Sequence, residues 1–307
     1  MTYNYPENMP KLIFKYKTVL FSPFFLRRFF LSFLSVVSLS SFFISAQLPN
    51  GTLATQEYFD LVIANLNDES LEIIDTVSPE LNINLKLEVF VVLDDQGESN
   101  FENETLISNL SIVNTHFKKI GLSFAIGNVT IVPEYEYSIL NSETEIAELE
   151  AKYSMQKKMN LFLLDGIELN ADSSYGYTTY PLDTIHSNIF FRKDYLFGNN
   201  LTALFGSFFG LLNTYESIGG QEFVDGSNCL MAGDVICATY ADPGGLPVYI
   251  NDNCQYLGAL LDPNGEYYLP SVANIMSDSP DNCKCLFTLE QYRRMKYYFK
   301  NYRNYLN

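Results

Sequence analysis

The sequence contains no Trp and only two His, His116 and His186, among its 307 residues. The two imidazoles lie far apart, and neither stands beside a Glu at the spacing of a zinc-binding helix. A Gly-x-Ser-x-Gly segment and a Cys-His arrangement are also missing, which leaves serine and cysteine hydrolases without support. We expect His116 to be a polar residue on a surface helix and His186 to lie in a loop before a strand.

Basic residues are scarce as well. The chain has 19 Lys and Arg against 36 Asp and Glu, and its formal net charge is −17. Such a surface repels a phosphate backbone, which excludes a general nucleic-acid binder, and it fits a well-solvated exported protein. Apolar residues make up 47% of the chain, including 22 Tyr and 24 Phe, so it can bury a sizeable core and is not largely disordered.

Residues 1–46 have the layout of a secretory signal peptide. Basic residues precede an apolar run over residues 29–44, and the small residues Ser45 and Ala46 follow it. The run is short for a membrane span and contains serines, so an uncleaved membrane anchor is the alternative. We expect a secreted or cell-surface protein that meets a membrane only if this segment is retained. Residues 47–84 are mixed and polar, and they predict a leader or linker.

No cysteine occurs before Cys229, and all five lie in the last third of the chain. In an exported protein, clustered cysteines predict disulfides that staple a loop-rich region. The candidates for two disulfides are Cys229, Cys237, Cys254 and Cys283. Three pairings are possible, and Cys285 is expected to be the unpaired fifth.

Hydrophobic periodicity predicts alternating strands and helices in the middle of the chain. Strands are expected at residues 85–93, 120–126, 159–164 and 187–191, and helices at residues 104–119, 142–155 and 200–213. The last of these helices is apolar on nearly every face and should be central. Residues 216–287 predict little regular structure, and a final helix with a capping box covers residues 288–302. This order predicts an α/β fold with helices against a mixed twisted sheet.

Four segments in order resemble the pappalysin group of metzincin metalloproteases, which includes pregnancy-associated plasma protein-A. Residues 87–92 with the following helix resemble the family's first strand and helix, and residues 176–181 resemble its Gly-Tyr-Ala-Thr-Phe-Pro loop. Residues 224–243 resemble a stretch that usually ends Cys-Asp-Thr-Pro-Ala-Asp-Pro. Residues 274–278 with residues 287–295 resemble the Met-turn and closing helix. The resemblance covers about residues 85–303.

The resemblance implies two unequal subdomains that face each other across a cleft. The upper subdomain, residues 85–215, would contain the sheet, its helices and the active-site helix. The lower subdomain, residues 216–307, would be irregular, stapled by disulfides and closed by the C-terminal helix. Gly210 would be the residue at which the chain turns off the active-site helix, and Met276 would form the apolar floor of the site.

The zinc-binding pattern of the family, His-Glu-x-x-His-x-x-Gly-x-x-His, is not retained. When it is aligned through Gly210, the first His falls on Ala203, the Glu on Leu204, the second His on Ser207 and the third His on Asn213. A methyl group binds no metal, an isobutyl group accepts no proton, and neutral oxygens bind zinc poorly against water.

One further position departs from the family. Asp278 stands where relatives have a tyrosine that is thought to stabilise the oxyanion. We therefore expect no zinc and no catalytic residue. Asp278, Ser207 and Asn213 are expected to form a polar hydrogen-bonded cluster in the cleft, which is more often a structural feature than a new active site.

Calcium enters only through the resemblance, because relatives can bind it in the lower subdomain. Ala238 replaces the carboxylate of the Cys-Asp-Thr-Pro segment, while Asp234, Asp242 and Asp262 remain. Oxygen ligands in loops are too common to be specific, so solvated loop carboxylates are the favoured interpretation. Calcium is possible but unsupported.

These observations predict an exported, catalytically inactive metalloprotease homologue, a pseudoprotease, that binds an unknown peptide or protein in the retained cleft. In relatives an extended substrate pairs with an edge strand of the upper sheet, and this mode of binding requires no metal. Two alternatives stay open. One is an active secreted metallopeptidase of the same family with unrecognised ligands, and the other is a structural surface protein.

Overall fold

The structure, a computed structural model, describes residues 50–52, 54–169, 172–182 and 187–306. Its strands are β1 (Ile83–Val92), β2 (Leu122–Val132), β3 (Ile139–Leu140), β4 (Met159–Leu164), β5 (Gly166–Leu169), β6 (Asp172–Ser173), β7 (Gly176–Thr178) and β8 (Asn188–Arg192). Its α-helices are α1 (Gln56–Ser70), α2 (Asn103–Phe117), α3 (Glu143–Tyr153), α4 (Asn200–Phe208) and α5 (Leu289–Tyr298). The signal-peptide prediction for residues 1–46 and the loop prediction for His186 lie outside the described residues.

Five of these strands form a mixed sheet in the order β2-β1-β4-β8-β7. The first four run parallel, and β7 pairs antiparallel with β8 at one edge. Along β1, Val89 and Val91 join the core on one face, while Phe90 and Val92 join the core on the other. The strand is therefore buried on both faces, as its apolar run predicted. The strands β3, β5 and β6 form a second, small sheet.

Helices cover both faces of the large sheet. α2 and α4 contribute to the larger core, through side chains such as Val113 and Phe205, and α3 contributes Ile146 and Leu149 to the opposite core. The predicted strands and helices in this region are present, with ends displaced by a few residues. The predicted α/β class with a mixed sheet is confirmed.

Residues 47–84 differ from the expected linker, because part of the segment folds as α1. Thr55 begins the helix, and its hydroxyl accepts a hydrogen bond from the Tyr58 N–H at 3.2 Å. Tyr58, Phe59 and Val62 are buried in a third core cluster that also contains Tyr298 of α5. The apolar positions repeat at helical spacing, so α1 packs against the rest of the domain.

Arg294 of α5 connects α1 to the loop that contains Asp234 and Val235. Its Nε lies 2.9 Å from Oε2 of Glu69 on α1, and its terminal nitrogens donate to the carbonyls of Asp234 and Val235 at 2.6 and 2.8 Å. Arg294 is 1% exposed. One buried guanidinium therefore holds α1, α5 and a loop together.

Residues 209–288 contain no α-helix and no named strand, as expected from their composition. Two disulfides, Cys229–Cys237 and Cys254–Cys283, staple this region, and Cys285 is an exposed free thiol. The four cysteine candidates are confirmed, and the pairing that the sequence left open is now fixed. α5 begins with the predicted capping box, in which Thr288 and Gln291 exchange hydrogen bonds. Within the described ranges, no helix is long and apolar enough to span a membrane.

Candidate functional site

α4 is buried along its whole length. Its N-cap residue, Asn199, supplies no side-chain cap, and its backbone N–H donates instead to the Asp281 carboxylate at 2.8 Å. A carboxylate is favourable here because the N-terminus of a helix carries partial positive charge. The Asn199 side chain also donates to the Lys284 carbonyl at 2.8 Å. The start of α4 is thus held by the segment that follows residue 280.

The helix ends at Phe208, earlier than the predicted end at Asn213. The N–H groups of Gly210 and Leu211 donate to carbonyls of the last helical turn at 2.9 Å each, which closes the helix. Gly210 has a φ of +99°, and a Cβ there would lie 2.6 Å from the ring of Tyr298. Glycine is therefore required where the chain leaves the helix.

The first two positions of the zinc pattern lie in the apolar core. Ala203 is 1% exposed and Leu204 is fully buried. A Cβ on Gly176 of β7 would lie 2.6 Å from Cδ2 of Leu204, so the leucine packs directly against this strand. Both side chains belong to the larger core cluster, together with Phe205 and Phe208. These positions make packing contacts and present no polar atom from their side chains.

Met276 packs against α4 at a glycine. Its side chain is 1% exposed, and its sulfur would lie 2.7 Å from a Cβ on Gly206. The Met276 carbonyl accepts a hydrogen bond from the Thr214 N–H at 3.2 Å. The sulfur therefore touches the backbone of the helix, a position compatible with the apolar floor that the resemblance implies.

The other two positions of the pattern share one hydrogen-bond donor. Nδ2 of Asn50 donates to Ser207 Oγ at 3.1 Å and to Asn213 Oδ1 at 3.4 Å. Ser207 is fully buried, and Asn213 and Asn50 are 5% and 7% exposed. Asn50 Oδ1 accepts from the Thr52 N–H at 3.0 Å, which directs Nδ2 towards the other two residues. We name Asn50, Ser207 and Asn213 the amide cluster.

The prediction that Asp278 joins Ser207 and Asn213 is wrong. Its carboxylate accepts hydrogen bonds from the N–H groups of Gly245 at 2.7 Å and Leu246 at 3.2 Å, and among the described residues none connects it to the amide cluster. Burial raises the pKa of Asp278, and these two N–H groups act in the opposite direction. A carboxylate has no proton to donate and therefore needs donors, which the two loop N–H groups supply.

Tyr180 borders the amide cluster. Its ring stacks on the ring of Tyr58 with centroids 4.2 Å apart, and its side chain is 7% exposed. Burial raises the pKa of Tyr180, and the Ser207 hydroxyl is close enough to oppose that shift. Its Oη has no hydrogen-bond partner of ordinary geometry in the described part of the chain. The phenol is therefore a buried donor available beside Ser207.

A buried lysine lies among three aspartates near the start of α4. Lys284 is 4% exposed, and its Nζ lies 6.0 Å from the ring centroid of Tyr175. Burial lowers the pKa of Lys284 to about 8, while Asp281, Asp278 and Asp242 act in the opposite direction. Burial also raises the pKa of Asp242 to about 6. Lys284 therefore supplies the positive charge that these carboxylates face.

His116 lies on α2, which has an exposed face as the predicted surface helix does, but its imidazole is turned to the buried face. The side chain is 7% exposed, and its ring meets the ring of Phe287 edge-on with centroids 5.7 Å apart. Position 116 follows the buried Val113 by three residues, which places both on one face of α2. Burial lowers the pKa of His116, so the imidazole stays neutral near pH 7.

The interpretation of the lower carboxylates as solvated is also wrong for two of them. Asp234 is fully buried and Asp262 is 5% exposed. Asp234 Oδ1 accepts from the Thr239 hydroxyl at 2.8 Å and from the Ile236 N–H at 3.0 Å. Asp262 accepts from backbone N–H groups, including that of Val224 at 2.9 Å. These carboxylates hold loops, because backbone N–H groups without a partner in a sheet or helix need acceptors.

Glu222 and Asp234 should make the stability depend on pH. Burial, followed by repulsion from Asp234 and Asp242, raises the pKa of Glu222 to about 8. Burial raises the pKa of Asp234 to about 7, against the attraction of Arg294. Because both values lie above those of the unfolded chain, about 4, the folded state holds protons that the unfolded state releases. Their stabilising contribution is complete below about pH 4 and is lost as the pH rises through 7 and 8.

We therefore expect the melting temperature to fall between about pH 5 and pH 8, and Glu222→Gln to flatten this dependence. Circular dichroism melts in EDTA-containing buffers would measure both slopes. Asp225→Asn is the matched control, because Asp225 is exposed and hydrogen bonds to Ser227 lower its pKa. Equal slopes for Glu222→Gln and the unchanged protein would contradict the assignment.

Zinc does not fit the side chains at its expected position. Ala203 has no donor atom, and the oxygens of Ser207 and Asn213 already accept hydrogen bonds from Asn50. Zinc in proteins is bound by imidazole, thiolate and carboxylate groups, none of which is present at these positions. Over the described ranges, no three His, Cys, Asp or Glu side chains are grouped to hold a metal ion.

Sequence reasoning missed two residues of this region. Asn50 lies outside every resembling segment, and its partner Ser207 is 157 positions away, so no local pattern connects them. Lys284 follows the cysteine Cys283, and its only signal was a single basic residue in an acidic loop region.

Two solved structures resemble the fold. A promirolysin mutant from Tannerella forsythia matches with a TM-score of 0.54 at 15% sequence identity, over 83% of this chain and 96% of that chain. Mirolysin in complex with a compound matches with a TM-score of 0.53 at 16% identity, over 74% of this chain and 96% of that chain. No protein-family model and no curated protein matches the sequence. At these identities the likeness establishes only that the chain shares its fold with these two structures.

Proposed function

We propose that this protein is an exported pseudoprotease of the pappalysin type, which binds a peptide or protein segment in its cleft and does not cleave it. The observation that carries the proposal is the burial of Ala203 and Leu204 in the apolar core. A metalloprotease needs a metal ligand at the first position and a general base at the second. Neither a methyl nor an isobutyl group can serve, and the fold leaves no solvent-facing side chain there.

The remaining positions support the same conclusion. Ser207 and Asn213 interact with an asparagine of the same chain, and Asp278 accepts hydrogen bonds from loop N–H groups. An active metallopeptidase with other ligands would require a different group of metal-binding side chains. The two disulfides support export, because they persist in oxidising compartments.

Peptide binding is supported by the geometry of the sheet. β7 is an edge strand of the five-stranded sheet, and Leu204 of α4 packs against it. A peptide in extended conformation can pair with such an edge through main-chain hydrogen bonds, without a metal. Holding a peptide at β7 therefore requires neither the metal ligands nor the general base of a protease.

The decisive experiment measures zinc content and proteolysis on the same preparation. We expect well below one zinc per chain by mass spectrometry, and no casein cleavage that 1,10-phenanthroline inhibits. A zinc protease of known metal content, dialysed in parallel, controls for loss of metal during purification. Stoichiometric zinc together with chelator-sensitive cleavage would refute the proposal and favour the active metallopeptidase.

A further inference from the structure

The edge of β7 is occupied by residues of the same chain. Asn50 forms a parallel bridge with Gly176, and the Gly51 N–H donates to the Gly176 carbonyl at 2.9 Å. The Thr178 N–H donates to the Thr52 hydroxyl at 3.1 Å. Residues 50–52 therefore extend the sheet by one short, bound segment. We call this segment the internal ligand.

Each residue of the internal ligand meets a distinct requirement. Asn50 must supply two N–H groups, because Ser207 Oγ and Asn213 Oδ1 both accept from its Nδ2. An aspartate at this position would place a carboxylate oxygen against Oδ1 of Asn213. Two buried oxygens that both accept hydrogen bonds, with no proton between them, are unfavourable. This position therefore selects a carboxamide over a carboxylate.

The second residue, Gly51, lies where a side chain would not fit. A Cβ on Gly51 would lie 2.4 Å from Oγ and 2.7 Å from Cβ of Ser174, and Ser174 itself is only 4% exposed. The third position requires a hydroxyl acceptor, because Thr52 Oγ1 receives the Thr178 N–H and is 1% exposed. A buried N–H without this acceptor would lose a hydrogen bond.

We propose that Ser207, Asn213 and β7 form a recognition site for extended peptides with the order Asn, Gly, and Thr or Ser, which residues 50–52 fill in the absence of a partner. The inference rests on the proposed function, since it specifies what the cleft binds. The Tyr180 hydroxyl beside Ser207, which has no partner of ordinary hydrogen-bond geometry in the described residues, supplies one further donor for such a ligand. A partner peptide binds by displacing the internal ligand.

The internal ligand competes strongly because it is tethered. Because the segment belongs to the same folded chain, it binds intramolecularly, and a peptide in solution must compete with its high effective concentration. Weakening it should therefore reveal binding of the same sequence added in solution. Asn50→Ala removes the two donated hydrogen bonds without adding charge, and Thr52→Val removes the acceptor for the Thr178 N–H.

The experiment uses the whole exported chain and a fluorescent peptide, Leu-Pro-Asn-Gly-Thr-Leu-Ala, which copies residues 48–54. We expect fluorescence anisotropy to show binding to Asn50→Ala that is at least about tenfold tighter than to the unchanged protein, because the tethered competitor is weakened. Peptides with Asp in place of Asn, or Ala in place of Gly, should bind at least about tenfold more weakly. Thr52→Val should rank the affinities of the three peptides in the same order. It replaces Asn50→Ala if that variant is too unstable to measure.

The outcomes separate this inference from the proposed function. Equal binding of all three peptides would overturn the sequence preference while leaving peptide binding intact. Absence of binding of any peptide to a variant that melts like the unchanged protein would overturn both. Tight binding to the unchanged protein, without gain in either variant, would show that residues 50–52 do not occupy the peptide site.

Discussion

Replacing Leu204 by glutamate should destabilise the protein by more than about 4 kcal/mol, since it removes a packed side chain and buries a carboxylate without a partner. Leu204 is fully buried and touches Gly176, so the new charge could not reach solvent without moving β7. A loss of this size is a large fraction of the free energy of unfolding of an ordinary domain, about 5–15 kcal/mol.

Urea denaturation followed by circular dichroism would measure the effect. Leu204→Met is the matched control, because it preserves the volume and polarity and should cost less than about 1.5 kcal/mol. If Leu204→Glu were as stable as Leu204→Met, the side chain would have to lie in an open cleft. The description of α4 as ordinary core would then be wrong.

Removing the Arg294 guanidinium should cost about 3–5 kcal/mol, because Arg294→Ala leaves the buried Glu69 carboxylate without its cation. Glu69 is 6% exposed, and its Oε1 already lacks a hydrogen-bond partner in the part of the chain that the structure describes. The same change removes the donors to the carbonyls of Asp234 and Val235. α1 would lose its ion pair with α5 but keep the hydrogen bonds of Asn65 with Tyr297 and Tyr298, and the free energy of unfolding would fall accordingly.

The neighbouring Arg293 provides the control. Its side chain is 32% exposed and lies 3.5 Å from Glu290 on the same helix, so Arg293→Ala should cost less than about 1 kcal/mol. Chemical denaturation of both variants gives the comparison. Adding Glu69→Gln to Arg294→Ala should recover part of the loss, because no buried charge is then left unpaired. Equal losses in the two arginine variants would show that the buried ion pair does not hold α1 in place.

The strands and helices of the sheet could be predicted because their signals are local. The run of apolar residues at β4 gave its limits without error, since a strand buried on both faces is apolar at nearly every position, here at all but Asn160. The cysteine candidates were also available from composition and compartment. The pairing of these cysteines could not be predicted, because the sequence does not tell which of them, such as Cys254 and Cys283, lie close together in the fold.

The content of the cleft could not be predicted, because it depends on contacts between distant segments. Asp278 was assigned to the cluster by its place in a family motif, whereas the nearby N–H groups of Gly245 and Leu246 bind it instead. The end of α4 was misjudged for a related reason. The apolar pattern continues beyond Phe208, and the turn is imposed by Gly210 against Tyr298. Residues 56–70 were not recognised as a helix because their buried face interacts with α5, at the other end of the chain.

The burial of Asn50 has a practical consequence for how the protein is produced. Asn50-Gly51-Thr52 is an acceptor sequence for N-linked sugar, and the atom that receives the sugar is Nδ2. That atom is enclosed in the folded chain, between Ser207 and Asn213. A sugar attached during synthesis in a eukaryotic host would have to occupy the space of these two residues. A host without this modification keeps the carboxamide intact.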